Sequence, residues 1–139
     1  MAYWLFKSEP GAWSWQDQVD SKKSTAEWDG VRNYQACNNM KAMKIGDKGF
    51  FYHSVNEKKI VGIVEVVKEY YPDPSDDSGR FGMVDVKAIK SLESSVSLED
   101  IKGKKSLQNI ALVRQSRLSV MPIDTRSWKI ICKMGGVST

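Results

Sequence analysis

The stretch Phe50-Phe51-Tyr52-His53-Ser54, then Asn56-Glu57-Lys58-Lys59, then Ile60-Val61-Gly62-Ile63-Val64-Glu65-Val66-Val67 decides the class of fold. Aromatic and β-branched residues fill both outer runs, and such side chains suit a pleated, half-buried surface. A short polar break between two such runs marks an antiparallel hairpin. The second run is nearly all apolar, which predicts cover on both of its faces. Gly62 within it predicts a bulge or a close approach to the backbone.

Working outward, Tyr3-Trp4-Leu5-Phe6 is a short aromatic strand, stopped at Pro10 because proline cannot donate to a ladder. Ser14 caps a short helix through Val19, with Trp15 and Val19 on its apolar face and Trp13 and Trp15 as packing residues. Asp20 to Glu27 is a polar, exposed loop. Asn33 to Lys44 is a helix in which Ala36, Cys37, Met40 and Met43 form one stripe. Met83 to Lys90 alternates as a half-exposed strand, with Val84, Val86 and Ala88 on one face. The acidic Tyr71-to-Gly79 loop, rich in proline and aspartate, is expected away from any phosphate path. Ser97 opens a capping box and Ser106 caps a second short segment. Leu118 to Met121 is a strand ended by Pro122, and Asp124 caps a last helix that buries Trp128, Ile131 and Cys132. Strands joined by hairpins with helices at either end argue for an α+β domain, a curled or closed sheet carrying helices outside.

Composition bounds the function. The chain has 139 residues, the size of one domain, so residues 1–139 are expected to fold as one unit. With 21 basic and 17 acidic residues the formal net charge is +4, which permits a nucleic-acid partner without requiring one. Cys37 and Cys132 have neither CxxC nor Cys-His spacing, so no metal site is expected, and buried thiols in a reducing cytoplasm or nucleus fit best. No run of about eighteen apolar residues is present, so no membrane span is expected, and Met1 to Lys7 does not resemble a signal peptide.

The chemistry concentrates around Trp28-Asp29-Gly30-Val31-Arg32-Asn33-Tyr34. A flat aromatic, a bend-permitting glycine, a guanidinium and an amide in seven residues could stack on a flat ligand and hydrogen-bond its edge. They could equally be a core tryptophan and a surface ion pair. Lys7-Ser8-Glu9, Tyr52-His53-Ser54 and Arg114-Gln115-Ser116-Arg117 form three further polar clusters at strand ends or helix starts. Together these clusters offer what an unpaired base requires: aromatic stacking, short polar groups at its edge, and cations for phosphate. The competing reading is an enzyme acting on a nucleotide or small acid. His53 is the single histidine and Ser8, Ser54 and Ser116 are candidate nucleophiles, but no nucleophile elbow, zinc-protease motif or phosphate loop is present.

Trp4 to Pro10, Trp28 to Ala36, Phe51 to Ser54, Gly62 to Val66 and Arg114 to Val120 resemble, in order, the motif series of the EVE domain family, whose members include thymocyte nuclear protein. The resemblance covers almost the whole chain. It implies a PUA-like fold, a small mixed β-barrel flanked by helices, and kinship with YTH domains, which hold N6-methyladenine in an aromatic cage. It also implies a monomeric, cofactor-free module that binds DNA or RNA bearing a modified base, such as 5-methyl- or 5-hydroxymethylcytosine. An RNA-binding module indifferent to modification is the alternative. By position, Trp28 is similar to a cage tryptophan and Lys7-Ser8 to the polar pair after the first strand. Asn33, Tyr52, His53 and Ser54 join them by analogy. Arg32, Arg114 and Arg117, with Gln115 and Ser116 between the last two, rest also on charge. Cys37 stands where the family pattern leads one to expect a basic residue.

Overall fold

A computed structural model describes residues 1–138. A six-stranded sheet runs in the order β2-β5-β4-β3-β1-β6. Its strands are β1 (Tyr3–Ser8), β2 (Thr25–Glu27), β3 (Lys48–His53), β4 (Lys59–Pro72), β5 (Gly82–Ser97) and β6 (Val120–Ile123). Only the β1–β3 pair is parallel, and the hairpin of β3 and β4 sits at its centre as the sequence predicts. The helices are α1 (Trp15–Asp20), α2 (Tyr34–Lys41), α3 (Leu98–Lys102), α4 (Ala111–Arg114) and α5 (Thr125–Met134).

The mixed α+β class is as expected, but the barrel is not closed. The order ends at β2 and β6, which have only three and four residues and offer little edge to pair. The register slips at four points between β4 and β5 and once between β3 and β4. Each slip adds local twist, so the long strands bend without meeting. Gly62 stands at one slip, and a Cβ there would lie 2.4 Å from the Trp15 ring. Both expectations for this glycine hold: it marks a bulge and lets an indole rest on the backbone of β4.

Four caps form as read, but Ser106 lies inside a 3₁₀ turn, Lys105–Leu107, that no side chain caps. Ser14 and Ser97 build capping boxes with Asp17 and Asp100, and Asn33 and Asp124 accept from Ala36 N–H and Ser127 N–H. Ala36, Cys37, Met40 and Met43 are buried together. Trp128 lies between Tyr3 and Phe50, with ring centroids at 4.3 and 4.0 Å. Four details differ. Val19 is exposed and Gln18 is buried in its place. The Asp20-to-Glu27 segment contains a 3₁₀ turn, Lys22–Ser24, and the strand β2. The helix expected to reach Lys44 ends at Lys41. Pro122 lies inside β6 rather than after it, which a strand at the sheet edge tolerates because an outward position needs no N–H.

Candidate nucleic-acid interface

Where β1 ends, the chain turns through Glu9-Pro10-Gly11-Ala12-Trp13 and overhangs an open cleft of about 1010 Å³. Its other walls are Lys22 and Lys23, strand β2, the segment Trp28 to Arg32, Asp85 of β5, and Ser119. That volume is at the upper end of small-molecule sites, so a nucleoside and part of its backbone fit.

Trp28 is at once core and wall. It is only 7% exposed, and Phe6 and Phe51 meet it edge-to-face at 5.2 and 5.5 Å. These contacts fix the plane of the indole. Its backbone N–H donates to the Val84 carbonyl at 2.8 Å, tying the segment to β5. The indole N–H of Trp4, Trp13 and Trp15 each donate to a side chain. That of Trp28 has no partner among the described residues, yet no buried side-chain nitrogen or oxygen there lacks one. Trp28 is one of the residues that line the cleft.

Beyond Trp28, Gly30 takes a left-handed φ of 78°, which glycine adopts without strain. Its N–H donates to Asp73 Oδ2 at 2.9 Å, and Arg32 Nη1 donates to the same oxygen at 3.1 Å. Arg32 Nη2 also donates to Ser75 Oγ. The acidic loop expected to stay clear of the site is thus what clamps this segment. Burial pushes the Asp73 carboxyl up, but hydrogen bonds from Ser75, Gly30 and Arg32 outweigh it and hold the group at about 2.

On the opposite wall Lys7 Nζ donates to the Ser116 carbonyl at 2.9 Å, and burial lowers its pKa. The Ser8 hydroxyl donates to the Trp13 carbonyl. Gln18 organises the rest. Its side chain accepts from Trp13 Nε1 at 2.9 Å and donates to the carbonyls of Ser24 and Val86. It thereby fixes Trp13 and the Lys22–Ser24 turn, where Lys23 and Ser24 hold left-handed φ of 56° and 54°. Non-glycine residues persist there only where their surroundings hold them.

Of the expected contact residues, Lys7, Ser8, Trp28 and Arg32 line the cleft, while Asn33, Tyr52, His53, Ser54, Arg114, Gln115, Ser116 and Arg117 do not. Asn33 spends its side-chain oxygen capping α2. Tyr52 and His53 lie on a strand covered on both sides and are buried. His53 Nε2 accepts from Trp15 N–H and its Nδ1 pairs with Glu57, both at 2.9 Å, so the ring staples β3 to the start of α1. Ser54 meets Ser8 through its backbone. Arg114 bonds Asn109 and, with Gln115, lines a separate shallow depression. Ser116 touches the cleft wall only through the Lys7 bond, and Arg117 is exposed. Cys37 is buried against Tyr70 Oη at 3.1 Å, facing away from any phosphate. The wall residues missed were Trp13, Lys22, Lys23, Glu27 and Asp85, while Glu9 and Asp29 stood in the clusters named from sequence without a contact role. The adjacent Lys22-Lys23 pair was the available signal.

An α+β sheet with a solvent-open cleft, lined by a fixed indole, four cations and four carboxylates, defines a binding module of the PUA-like kind. Residues 2–134 match the EVE domain, and the chain belongs to that family. It is 35% identical to rat thymocyte nuclear protein 1 over 164 residues, 95% of this chain and 73% of that protein. A crystal structure of a protein from Agrobacterium tumefaciens superposes with a TM-score of 0.95 at 47% identity, covering 99% and 94% of the two chains. Human THYN1 protein, in complex with 5-methylcytosine-containing DNA, superposes with a TM-score of 0.91 at 32% identity over all of both chains. The fold likeness extends to a YTH domain from Zygosaccharomyces rouxii, with a TM-score of 0.57 at 19% identity.

Proposed function

We propose that this chain binds nucleic acid carrying a modified base, 5-methylcytosine being the class that fits best, and that the base enters the cleft beside Trp28. The observation that carries the reading is the Trp28 ring, fixed edge-to-face by Phe6 and Phe51 and lining the cleft. Stacking on a pre-fixed ring contributes ~1–3 kcal/mol per base. Lys7, Lys22, Lys23 and Arg32 supply the cationic rim for phosphates. The solved complex of human THYN1 with methylated DNA supports the same class of partner.

How the reactive groups are spent supports binding rather than catalysis. Both ring nitrogens of His53 are engaged in holding α1, away from the cleft. The Ser8 hydroxyl is committed to the Trp13 carbonyl. No helix among the described residues is long and apolar enough to cross a membrane. A nucleic-acid partner is consistent with the cytoplasm, or with the nucleus in a eukaryote. The test is a titration of the chain with matched oligonucleotides, DNA and RNA, containing one cytosine or one 5-methylcytosine. One methyl group is worth only about 1–3 kcal/mol, so the preference is modest. Preference for the methylated DNA or RNA supports the reading. Equal binding of all four would leave an RNA or DNA module blind to modification.

A further inference from the structure

A methyl niche and a stacking ring cannot tell 5-methylcytosine from thymine. Both bases are flat pyrimidines with the same 5-methyl group. They differ where cytosine carries an amino donor and thymine a carbonyl acceptor. Any module that selects 5-methylcytosine in DNA therefore needs a fixed acceptor in its cleft. Four carboxylates line the wall: Glu9, Glu27, Asp29 and Asp85. Glu9, Glu27 and Asp29 are exposed, whereas Asp85 is half-buried.

Asp85 is also the one of the four that the fold holds in place. It stands in the body of β5, directly opposite Glu27 of β2, one residue from the carbonyl that anchors Trp28. The Tyr71 hydroxyl donates to its Oδ1 at 2.5 Å. Lys68 Nζ lies 3.8 Å from the centre of the Tyr71 ring, which backs that hydroxyl from behind. Oδ1 is thereby tethered, and Asp85 lines the cleft with acceptor capacity to spare. An acceptor there complements the exocyclic amino group of cytosine and opposes the carbonyl that thymine carries at the same position.

We propose that Asp85 is the specificity-determining residue of the cleft, accepting from the exocyclic amino group of the bound base, and that Tyr71 is its positioning residue. This rests on the modified-base reading above and names the edge by which the base is recognised.

The experiment uses the full chain and three single-stranded oligonucleotides of one sequence, bearing cytosine, 5-methylcytosine or thymine at one central position. Wild type is expected to favour 5-methylcytosine over thymine on the order of tenfold. Asp85→Asn should bring that ratio close to one, because its amide can donate to the thymine carbonyl. The 5-methylcytosine-to-cytosine ratio should stay, since both bases present the same amino group to Asp85. Tyr71→Phe keeps the ring and loses the tether, so it should lower the thymine discrimination partway. It also serves as the test should Asp85→Asn fail to fold. An unchanged 5-methylcytosine-to-thymine ratio in either folded variant overturns the role of Asp85 and leaves the modified-base function standing. A wild type that binds all three oligonucleotides equally overturns both.

Discussion

Arg32 Nη1 donates to Asp73 Oδ2 at 3.1 Å, and the Asp73 side chain is wholly sealed while 40% of Arg32 stays exposed. The same carboxylate accepts from Gly30 N–H and from both the N–H and the hydroxyl of Ser75. An acidic loop therefore sets the shape of the cleft wall, and Arg32 reaches the rim already paired. Replacing Asp73 by Ala leaves several donors without their acceptor. We expect Asp73→Ala to lower stability by about 2–3 kcal/mol and to weaken oligonucleotide binding. An unchanged melting temperature would contradict the clamp.

The same carboxyl makes stability depend on pH. Hydrogen bonding holds it at about 2 against an ordinary 3.8. A group lowered on folding adds stability above its ordinary value and loses it as pH falls through the folded value. Denaturant melts should therefore weaken from about pH 4 down to about pH 2. Asp73→Asn should flatten that decline. A variant that loses stability over this window as steeply as wild type would assign the effect to other carboxylates.

Lys22 and Lys23 line the cleft and the Arg114-to-Arg117 cluster does not. If phosphates follow the cleft, the double change Lys22→Ala with Lys23→Ala weakens binding to every sequence. It should flatten the logarithmic salt dependence by between about 1 and 2. The double change Arg114→Ala with Arg117→Ala should move the slope little. The reverse pattern would put the backbone path across the second depression.

Gln18 and His53 are both buried, and both hold α1, but only Gln18 reaches the cleft residues. Gln18→Leu should cost about 1–3 kcal/mol of stability and also reduce binding, since Trp13 and the Lys22–Ser24 turn lose their tether. His53→Ala should cost a similar amount and leave the methylated-to-unmethylated ratio intact. Thermal melts paired with titrations separate the two, and a selective loss of methyl preference in His53→Ala would move that residue into the site.

Trp28 cannot be tested by simple truncation. Trp28→Ala removes a core side chain packed on Phe6 and Phe51, at a cost of about 3–5 kcal/mol. Trp28→Phe keeps an aromatic plane and loses the indole N–H. We expect it to fold and to bind methylated oligonucleotide several-fold more weakly. Full-strength binding by Trp28→Phe would mean the indole N–H contributes nothing.

The hairpin of β3 and β4, the helix caps and the Ala36–Met43 stripe could be read from sequence because each depends on neighbours within a few residues. Strand β2 could not, because three residues become a strand only through β5, some sixty positions away. Gln18 is polar and looks like surface. It is buried because Trp13, Ser24 and Val86 together satisfy its amide, a closure visible only in three dimensions. Tyr52 and His53 have the residue types of a binding site, yet both are buried, His53 against the start of α1 and Tyr52 with Lys7 over its ring. For the candidate site, Trp28 and the Lys7-Ser8 strand end were legible as chemistry. Trp13 was read as packing, because nothing local shows that its turn overhangs a cleft.

The central claim is most directly tested with the five tryptophans as reporters. Indole N–H signals of ¹⁵N-labelled protein are followed during titration with a 5-methylcytosine oligonucleotide, Trp28 being assigned through Trp28→Phe. The account predicts that the Trp28 and Trp13 signals shift most, while that of Trp4, bonded to Asp47 at 3.0 Å, stays in place. Saturable binding that leaves the Trp28 and Trp13 signals unmoved would contradict it.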